Sequence, residues 1–462
     1  MNHKYNQQHK DYKEYCPKWA TTNDVVRSRV KSKSTTYLPM PNPHDTSQRN
    51  KCAYDNYLKR ALYYNFTQPT QATILGSLFR KPLTVEQSNF DYLEFDIDGS
   101  GIGIKQQARA AAKELTETSR GGFFIDYTLS EPAKNRREEQ QLNARPVAIF
   151  YKAKNIINWE MEVVNSVRRL SKVVLTEYVD DSAIRHDRER VIRIEEGVCH
   201  IDVYNYKDGE LISVDSSIPT SSNGSSLDYI PFQFVGGVNN DECIDDALLY
   251  DLSELNISHY QSSADYEDFR FKLGQIQPFI SGVSQADTDR SGGELQFGSG
   301  VAWVFGEGAT ASLLQAQPNS ANMESMQHKE AQAKAIGAKL LNPNEKVMSA
   351  EQSSNISASE TASISSIVDN LESAYENVFQ MMLDRVQAGS VEIEFSREFV
   401  TSNMTPDELR GLSEQVFKGV IPDTILFDRM RQTGMTDLSD EELRDQLDNV
   451  NGLSLESRSE SI

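Results

Sequence analysis

Residues 230–273 read IPFQFVGGVNNDECIDDALLYDLSELNISHYQSSADYEDFRFKL, and the change of period inside this stretch decides how the chain is organised. IPFQFVGG carries aromatic and β-branched residues closed by two glycines, the pattern of a strand running into a turn. From about Ile244 the apolar residues return at helical spacing. At 100° per residue Leu248, Leu252, Leu255, Tyr266, Phe269 and Leu273 fall on one arc of about 100°. Asp251, Glu254, Asp265 and Asp268 share the adjoining arc. No Lys or Arg stands between Ile244 and Phe269, so the flank stays acidic until Arg270 and Lys272 meet the negative end of the helix dipole. A sheet therefore ends near Gly237, and one long helix follows over 244–273.

Upstream, residues 1–90 read as helices between polar loops. TTNDVVRSRV offers caps ahead of Val25, Val26 and Val30, and FTQPTQATILGSLFRKP starts near Pro69 and stops before Pro82, with Ile74, Leu75, Leu78 and Phe79 on its apolar face. IKQQARAAAKELTETSR is a further helix leading into the buried strand GGFFIDYTL, a helix packed on a sheet. From Pro146 to about Phe234 strands dominate: PVAIFYKAKNIINW, SKVVLTEYV, ERVIRIEEG, CHIDVYNYKDGE and IPFQFVGG. SSIPTSSNGSS reads as an exposed, mobile loop among them.

Downstream, residues 274–318 form a small insertion with short strands around DTDRSGGELQFGSG, too few to bury a core without neighbouring copies. A helix resumes at about Ser320 and runs to Leu341, and LNPNEKVMSAEQSSN breaks the pattern. A capping box at Ser357-x-x-Glu360 opens the next helix, whose apolar positions are Ile364, Ile367, Leu371, Tyr375, Val378, Met382 and Val386, with Gly389 ending it. After the strand VEIEF come capping boxes at Thr405 to Glu408, with Pro406 first in the helix, and at Ser439 to Glu442. NGLSLESRSESI, residues 451–462, reads as a disordered tail.

A chain of 462 residues exceeds what one core organises, so two or more folding units are expected. Its 47 basic and 68 acidic residues give a net charge of −21, which repels phosphate and anionic membranes and argues against a tight sequence-reading DNA binder. Cys16, Cys52, Cys199 and Cys243 show no CxxC or Cys/His pairing, as expected of free thiols in a reducing compartment. MNHKYNQQHKDYKEY lacks the apolar core of a signal peptide, and no stretch is long enough for a membrane span.

No catalytic chemistry declares itself. Asp96, Asp98, Ser100 and Gly101 fit the opening of a calcium loop, but Gly103 and Gln107 stand where an apolar anchor and a bidentate Glu are needed, so the segment reads as a polar turn. GxxxxGK[ST], GxSxG and HExxH are absent, which excludes a P-loop motor and leaves His3, His9, His44, His186, His200, His259 and His328 without a catalytic pattern. No catalytic residue, cofactor or metal is assigned.

The order of segments resembles bacteriophage portal proteins, in particular a branch holding a domain of unassigned function, across nearly the whole chain. KRALYYNFTQPTQATILGSLFRKP followed by DIDGSGIGI and RGGFFIDY resembles that branch's N-terminal region. ARPVAIFYKAKNIINW with VVLTEYV resembles its central sheet. The clearest likeness is IPFQFVGG leading into DLSELNISHYQSSADYEDF.

The resemblance implies an α+β portal fold assembled as a ring of about twelve copies. It places an α+β wing over 1–243, stem helices over 244–273 and 319–341, and a small α/β clip over 274–318. A tunnel loop follows over 342–358, then a helix and strand over 359–404 returning to the wing, and a small helical crown over 405–450. The segment after Gly389 is too short for the long C-terminal barrel of some portals.

In such a ring Asp251, Glu254, Asp265 and Asp268 are expected to face the lumen while the apolar arc packs between subunits. Asn342, Asn344 and Lys346 of the tunnel loop are expected to touch DNA, and Asp287, Asp289, Arg290 and Glu294 of the clip to dock partners. The implied partners are further copies of the chain, the major capsid protein, the packaging motor (terminase), head–tail adaptor proteins, and double-stranded DNA passing without sequence specificity; no membrane is involved. The implied location is the portal vertex of a virion, after assembly in the host cytoplasm. Another structural virion protein and an α+β hydrolase are the competing readings.

Overall fold

A computed structural model describes residues 7–128, 144–181, 184–207, 210–273, 277–282, 289, 308, 310–314, 321–341, 350–386, 389–395, 406–432, 435–436 and 438–446. The fold is α+β, as the sequence leads one to expect. The N-terminal helices are α1 (Lys10–Val26), α2 (Ser34–Tyr37), α3 (Gln48–Arg60) and α4 (Thr67–Leu78). TTNDVV is the end of α1 and not a helix start: the helix opens at Lys10, where the His9 ring accepts the Asp11 N–H at 3.3 Å. Tyr12, Trp19, Val25 and Val26 are its buried apolar positions.

β1 (Thr84–Ser88) precedes α5 (Ile104–Thr118), which leads through Ser119 into β2 (Arg120–Tyr127). Ala108, Ala111, Ala112 and Leu115 of α5 share one core with Phe123 and Ile125 of β2, so the expected helix-on-sheet packing is present. Small alanines on that face let the helix lie close to the strand, and each fully buried Phe, Leu or Ile side chain contributes about 1.5–3 kcal/mol. Ser119 takes the left-handed conformation, φ 50°, that ends the helix. Glycines at 121 and 122 are required by the aromatics that cross them: a Cβ on Gly122 would stand 2.2 Å from Phe232.

β3 (Pro146–Lys152) and β9 (Phe232–Gly236) flank β2 in a three-stranded antiparallel sheet, order β3-β2-β9. β4 (Ile156–Val164), β5 (Val167–Asp181), β6 (Ile184–Glu195), β7 (Val198–Lys207) and β8 (Glu210–Ser217) form a five-stranded antiparallel meander. Trp159, Val173, Ile192, Ile201 and Tyr204 of the meander pack against Phe232 and Phe234 of the smaller sheet. β8, ELISVDSS, is not legible from its composition, because it is an edge strand exposed along its whole length and buries no alternating face. The serine-rich loop after it is largely exposed but tied down: Thr220 bridges Ser226, and the Ser222 N–H donates to the Asp384 carbonyl at 2.9 Å.

The remaining elements are α6 (Tyr250–Leu273), β10 (Gln277–Ser281), β11 (Thr310–Leu314), α7 (Ala321–Leu341), α8 (Ala350–Leu383), β12 (Ser390–Glu394), α9 (Pro406–Phe417) and α10 (Asp423–Gln432). The start of α6 corrects the expected helix at 244, since residues 238–249 form a bonded turn instead. α8 begins at Ala350, so Ser357 and Glu360 lie inside a helix that is already running. Its expected apolar face is buried in the main core through Ile364, Ile367, Leu371, Tyr375, Val378 and Met382. The helix ends at Leu383, before Gly389. β12 pairs antiparallel with β1, which returns the chain to its N-terminal part. At 439–442 the capping box is present, with the Ser439 N–H donating to Glu442 at 2.9 Å and the Glu442 N–H to Ser439 Oγ at 3.4 Å.

Under α5 lies a buried pair of carboxylates. Glu114 accepts the Ala153 N–H at 3.2 Å, while Glu117 accepts from Asn23 and Gln71, both at 3.0 Å. Burial first, and then the neighbouring Glu117, push the Glu114 carboxyl up from 4.5 to about 7, with Lys152 pulling the other way. A raised value means that the fold favours the protonated acid. Its contribution is whole below the unfolded value of 4.5 and is lost as pH rises to about 7. Glu114→Gln, which keeps the acceptor for Ala153, is expected to gain about 3 kcal/mol on wild type between pH 4 and pH 8. Urea unfolding at the two pH values measures this, and an unchanged difference would place Glu114 among ordinary carboxylates.

Candidate functional site

The candidate site is α6 and what surrounds it. The turn that leads into it is built around Asp245, whose carboxylate accepts the Val238 N–H at 2.8 Å and the Asn239 N–H at 3.3 Å. Beneath it Arg120, 1% exposed, donates to the carbonyls of Asp241 and Cys243, both at 2.9 Å. Its guanidinium lies 3.9 Å from the Phe234 ring centroid and 4.9 Å from that of Trp159. These π faces take the place of partners for Nε and Nη2, which have no hydrogen bond. Burial lowers the Arg120 pKa to about 10, against the acids at 241, 242 and 245 that favour its charge.

The buried face of α6 is not the apolar arc that spacing alone indicates. Leu252 is buried, with Leu248 and Leu255 packed partly against the same core, and that core belongs to this chain itself. This half of the arc is therefore occupied within the subunit and is not a free seam between copies. The rest of the buried face is largely polar: Ser253, Asn256, His259, Tyr260 and Ser263.

Asn256, fully buried, makes the central set of contacts. Its Nδ2 donates to the Tyr64 carbonyl at 2.8 Å. Its Oδ1 accepts the Phe66 N–H at 3.2 Å, the Thr67 hydroxyl at 3.1 Å and the Thr67 N–H at 3.4 Å. These are orphan donors at the start of α4, where the N-cap residue Phe66 has no acceptor to offer and Asn65 takes only the Gln68 N–H, at 3.0 Å. One helix thus caps another across about 190 residues of sequence.

The other polar positions follow the same plan. Tyr260 meets Ser34 Oγ at 3.2 Å, and the Gln261 amide donates to the Tyr37 carbonyl at 3.0 Å. Toward α7, His259 Nε2 stands 3.2 Å from Glu330, and Lys329 donates to the Ser258 carbonyl at 3.0 Å and Ser262 Oγ at 2.7 Å.

The four acids expected to line a channel divide in two. Asp251, Glu254 and Asp265 are exposed and Asp268 is half-buried, but only the first two are free of contacts to α3. Asp265 accepts the Tyr57 hydroxyl at 2.8 Å, and Asp268 pairs with Arg60 and with Lys272 at 2.6 Å. Burial acts to raise the Asp268 carboxyl, but Lys272 and Arg60 hold it below the usual range. These two acids fasten α6 to α3, which sequence spacing could not show because Tyr57 and Arg60 are 208 residues away.

Of the expected docking residues Asp289 is exposed. Asp287, Arg290 and Glu294 lie outside the described residues, as do Asn342, Asn344 and Lys346 and the tail at 451–462. β10 and β11 pair antiparallel from Gln277↔Leu314 to Ser281↔Thr310. In the loop tested for calcium, Asp96 accepts the Gly101 N–H at 2.7 Å and pairs with Arg145, while Asp98 accepts the Ser100 N–H at 2.9 Å. Among the described residues no group of three or more His, Cys, Asp or Glu is placed to hold a metal, and no helix is long and apolar enough to cross a membrane.

Comparison with known proteins follows the same region. A family model described as a domain of unknown function, DUF4055, matches residues 248–384, from the start of α6 through α8. No curated protein matches the sequence. Among solved structures 64 chains match. One, from the virion of a native gene transfer agent (GTA) particle, is 10% identical with a TM-score of 0.40, covering 85% of this chain and 92% of that one. Another, from the neck of a native GTA particle computed with C12 symmetry, is 11% identical with a TM-score of 0.38, covering 82% and 89%. A third, from the neck of an empty GTA particle computed with C6 symmetry, is 11% identical with a TM-score of 0.40, covering 85% and 92%.

Asn256→Ala is expected to lower the unfolding free energy by about 2–4 kcal/mol, the cost of a lost cap together with buried donors left unpaired. Equilibrium denaturation measures it, and a loss under about 0.5 kcal/mol would show the cap to be immaterial.

Proposed function

We propose that this chain is a connector subunit of the phage portal kind, closing with further copies of itself into a ring around a channel for double-stranded DNA. The observation that carries the reading is α6: a long helix fixed to its own body on one side, with Asp251 and Glu254 exposed on another. It is followed by the β10–β11 ladder and then by α7 against it. That order, sheet then helix then small ladder then helix, is the order that the sequence resemblance implies for wing, stem, clip and returning stem.

In this reading the wing is residues 1–243, the stem α6 and α7, and the clip the insertion 274–318 that docks the motor and later the adaptors through Asp287, Asp289, Arg290 and Glu294. The tunnel loop narrows to 342–349, because α8 already runs from Ala350; Asn342, Asn344 and Lys346 remain its candidates for touching phosphate. α9, α10 and the helical residues 440–446 make the crown. Asp251 and Glu254 face the lumen, with Asp265 and Asp268 behind them holding α3. A wall of like charge gives moving DNA no deep binding well, since the counterion release that drives phosphate binding needs cations.

Two outcomes test this. Electron microscopy of the purified full chain is expected to show closed rings with cyclic symmetry and a central opening; a stable monomer at micromolar concentration would refute the reading. The double variant Asp251→Lys, Glu254→Lys leaves the α3 contacts untouched and is expected to assemble yet to slow DNA packaging, more at low salt than at high. Normal packaging in that variant would put these acids on an outer face.

A further inference from the structure

The chain segregates its charge. Residues 1–81 hold fourteen Lys and Arg against five Asp and Glu, which leaves 33 against 63 in all the rest. The two populations of cations also behave differently. In the five-stranded sheet Arg168, Arg169, Lys172, Arg190 and Arg193 are each in an ion pair. In the N-terminal part Arg27, Arg29 and Lys31 after α1 and Lys51 and Lys59 in α3 are exposed, and among the described residues none of them is in an ion pair.

Three of these cations sit on one rigid turn, RSRVK, after α1. Val30, fully buried, anchors the turn, and its neighbours Arg29 and Lys31 are exposed on either side. The Arg29 N–H donates to the Asp24 carbonyl at 2.7 Å, and Ser28 Oγ accepts the Asn65 amide at 2.9 Å. The nearby carboxylate of Asp24 is already taken by Lys33 at 2.7 Å and the Tyr37 hydroxyl at 2.8 Å. Arg29 and Lys31 are therefore held in place with no ion-pair partner among the described residues, while Arg27 acts on the buried Glu114 carboxyl without an ion pair to it.

We propose that the turn Arg27–Lys31 is one half of an interface between copies, seated on an acidic surface of a second copy of this chain. The proposal rests on the ring reading and adds the surface that sets its register. In a head-to-tail ring two different faces meet. A subunit of charge −21 would otherwise repel its neighbour, and the largest surplus of cations to offset this, fourteen against five, lies in residues 1–81. The complement is everywhere else on the chain. A nucleic acid fits less well, because three cations on a turn release few counterions and the chain as a whole carries a charge of −21.

The test uses the full chain. Zero-length carbodiimide coupling of the wild-type assembly, read by mass spectrometry, is expected to join Lys31 to a carboxylate of another copy, identified by mixing isotope-labelled and unlabelled chains. The reversal R27E/R29E/K31E is expected to raise the concentration at half-assembly about a hundredfold, and the neutral variant R27Q/R29Q/K31Q to raise it less. Circular dichroism of both variants is expected to match wild type, because all three side chains are exposed. Unchanged assembly of the reversal variant, or Lys31 coupling only within its own chain, would overturn the proposal. So would duplex DNA binding by wild type that the reversal variant loses while still assembling, which would make the turn a phosphate contact. A wild-type chain that forms no oligomer would instead refute the ring itself.

Discussion

The carboxamide of Asn256 is the contact on which the arrangement of this molecule depends. It is buried in a helix interior, where a polar side chain without partners costs several kcal/mol, and it is satisfied only if residues 64–67 are presented to it in one register. That requirement fixes where α4 begins, and α4 in turn packs on α5 and the three-stranded sheet through Ile74, Leu75 and Leu78. The hydrophobic core could be filled in more than one way, whereas the paired donors and acceptors admit one. Tyr260 with Ser34 and Asp265 with Tyr57 extend the same constraint down the helix to α2 and α3.

The consequence is that α6 is fastened on two sides. Its polar face grips the N-terminal helices, and through His259, Ser258 and Ser262 it grips α7. At its start, Arg120 beneath the turn joins it to the sheet that precedes it. A force on the helix is passed to the body through hydrogen bonds of fixed geometry, which suits an element beside a moving polymer. In the proposed connector, stem and wing would move as one piece, and any flexing would fall elsewhere.

Much of this fold was legible in the sequence because it follows local periodicity. The α5–β2 packing, the strand run after Pro146 and the apolar face of α8 needed only spacing and residue type. The errors have one cause, which is that local signals compete with long-range partners. TTNDVV looks like a helix start, yet α1 is held by Trp19 and Tyr12 against distant residues and simply ends there. Ser357 and Glu360 spell a capping box, but a helix already running has no free N–H groups for them to cap. The arc of leucines on α6 marks a buried face correctly at Leu252, while the more decisive stripe of Ser253, Asn256, Tyr260 and Ser263 stands at the same helical spacing and reads as solvent-facing. Polar residues at helical spacing announce a buried seam only to a reader who knows what lies opposite, and Tyr64, Phe66 and Thr67 are too far along the chain to suggest themselves.

The most direct test of this account is native-state hydrogen exchange on the full chain. If Asn256 and its neighbours make α6 and α4 one cooperative unit, the amides of 253–264 and of 70–78 will exchange with the same opening free energy and the same dependence on denaturant. If α6 opens at low denaturant while α4 and α5 remain protected, the long helix is a separable element and the polar seam does not hold the molecule together.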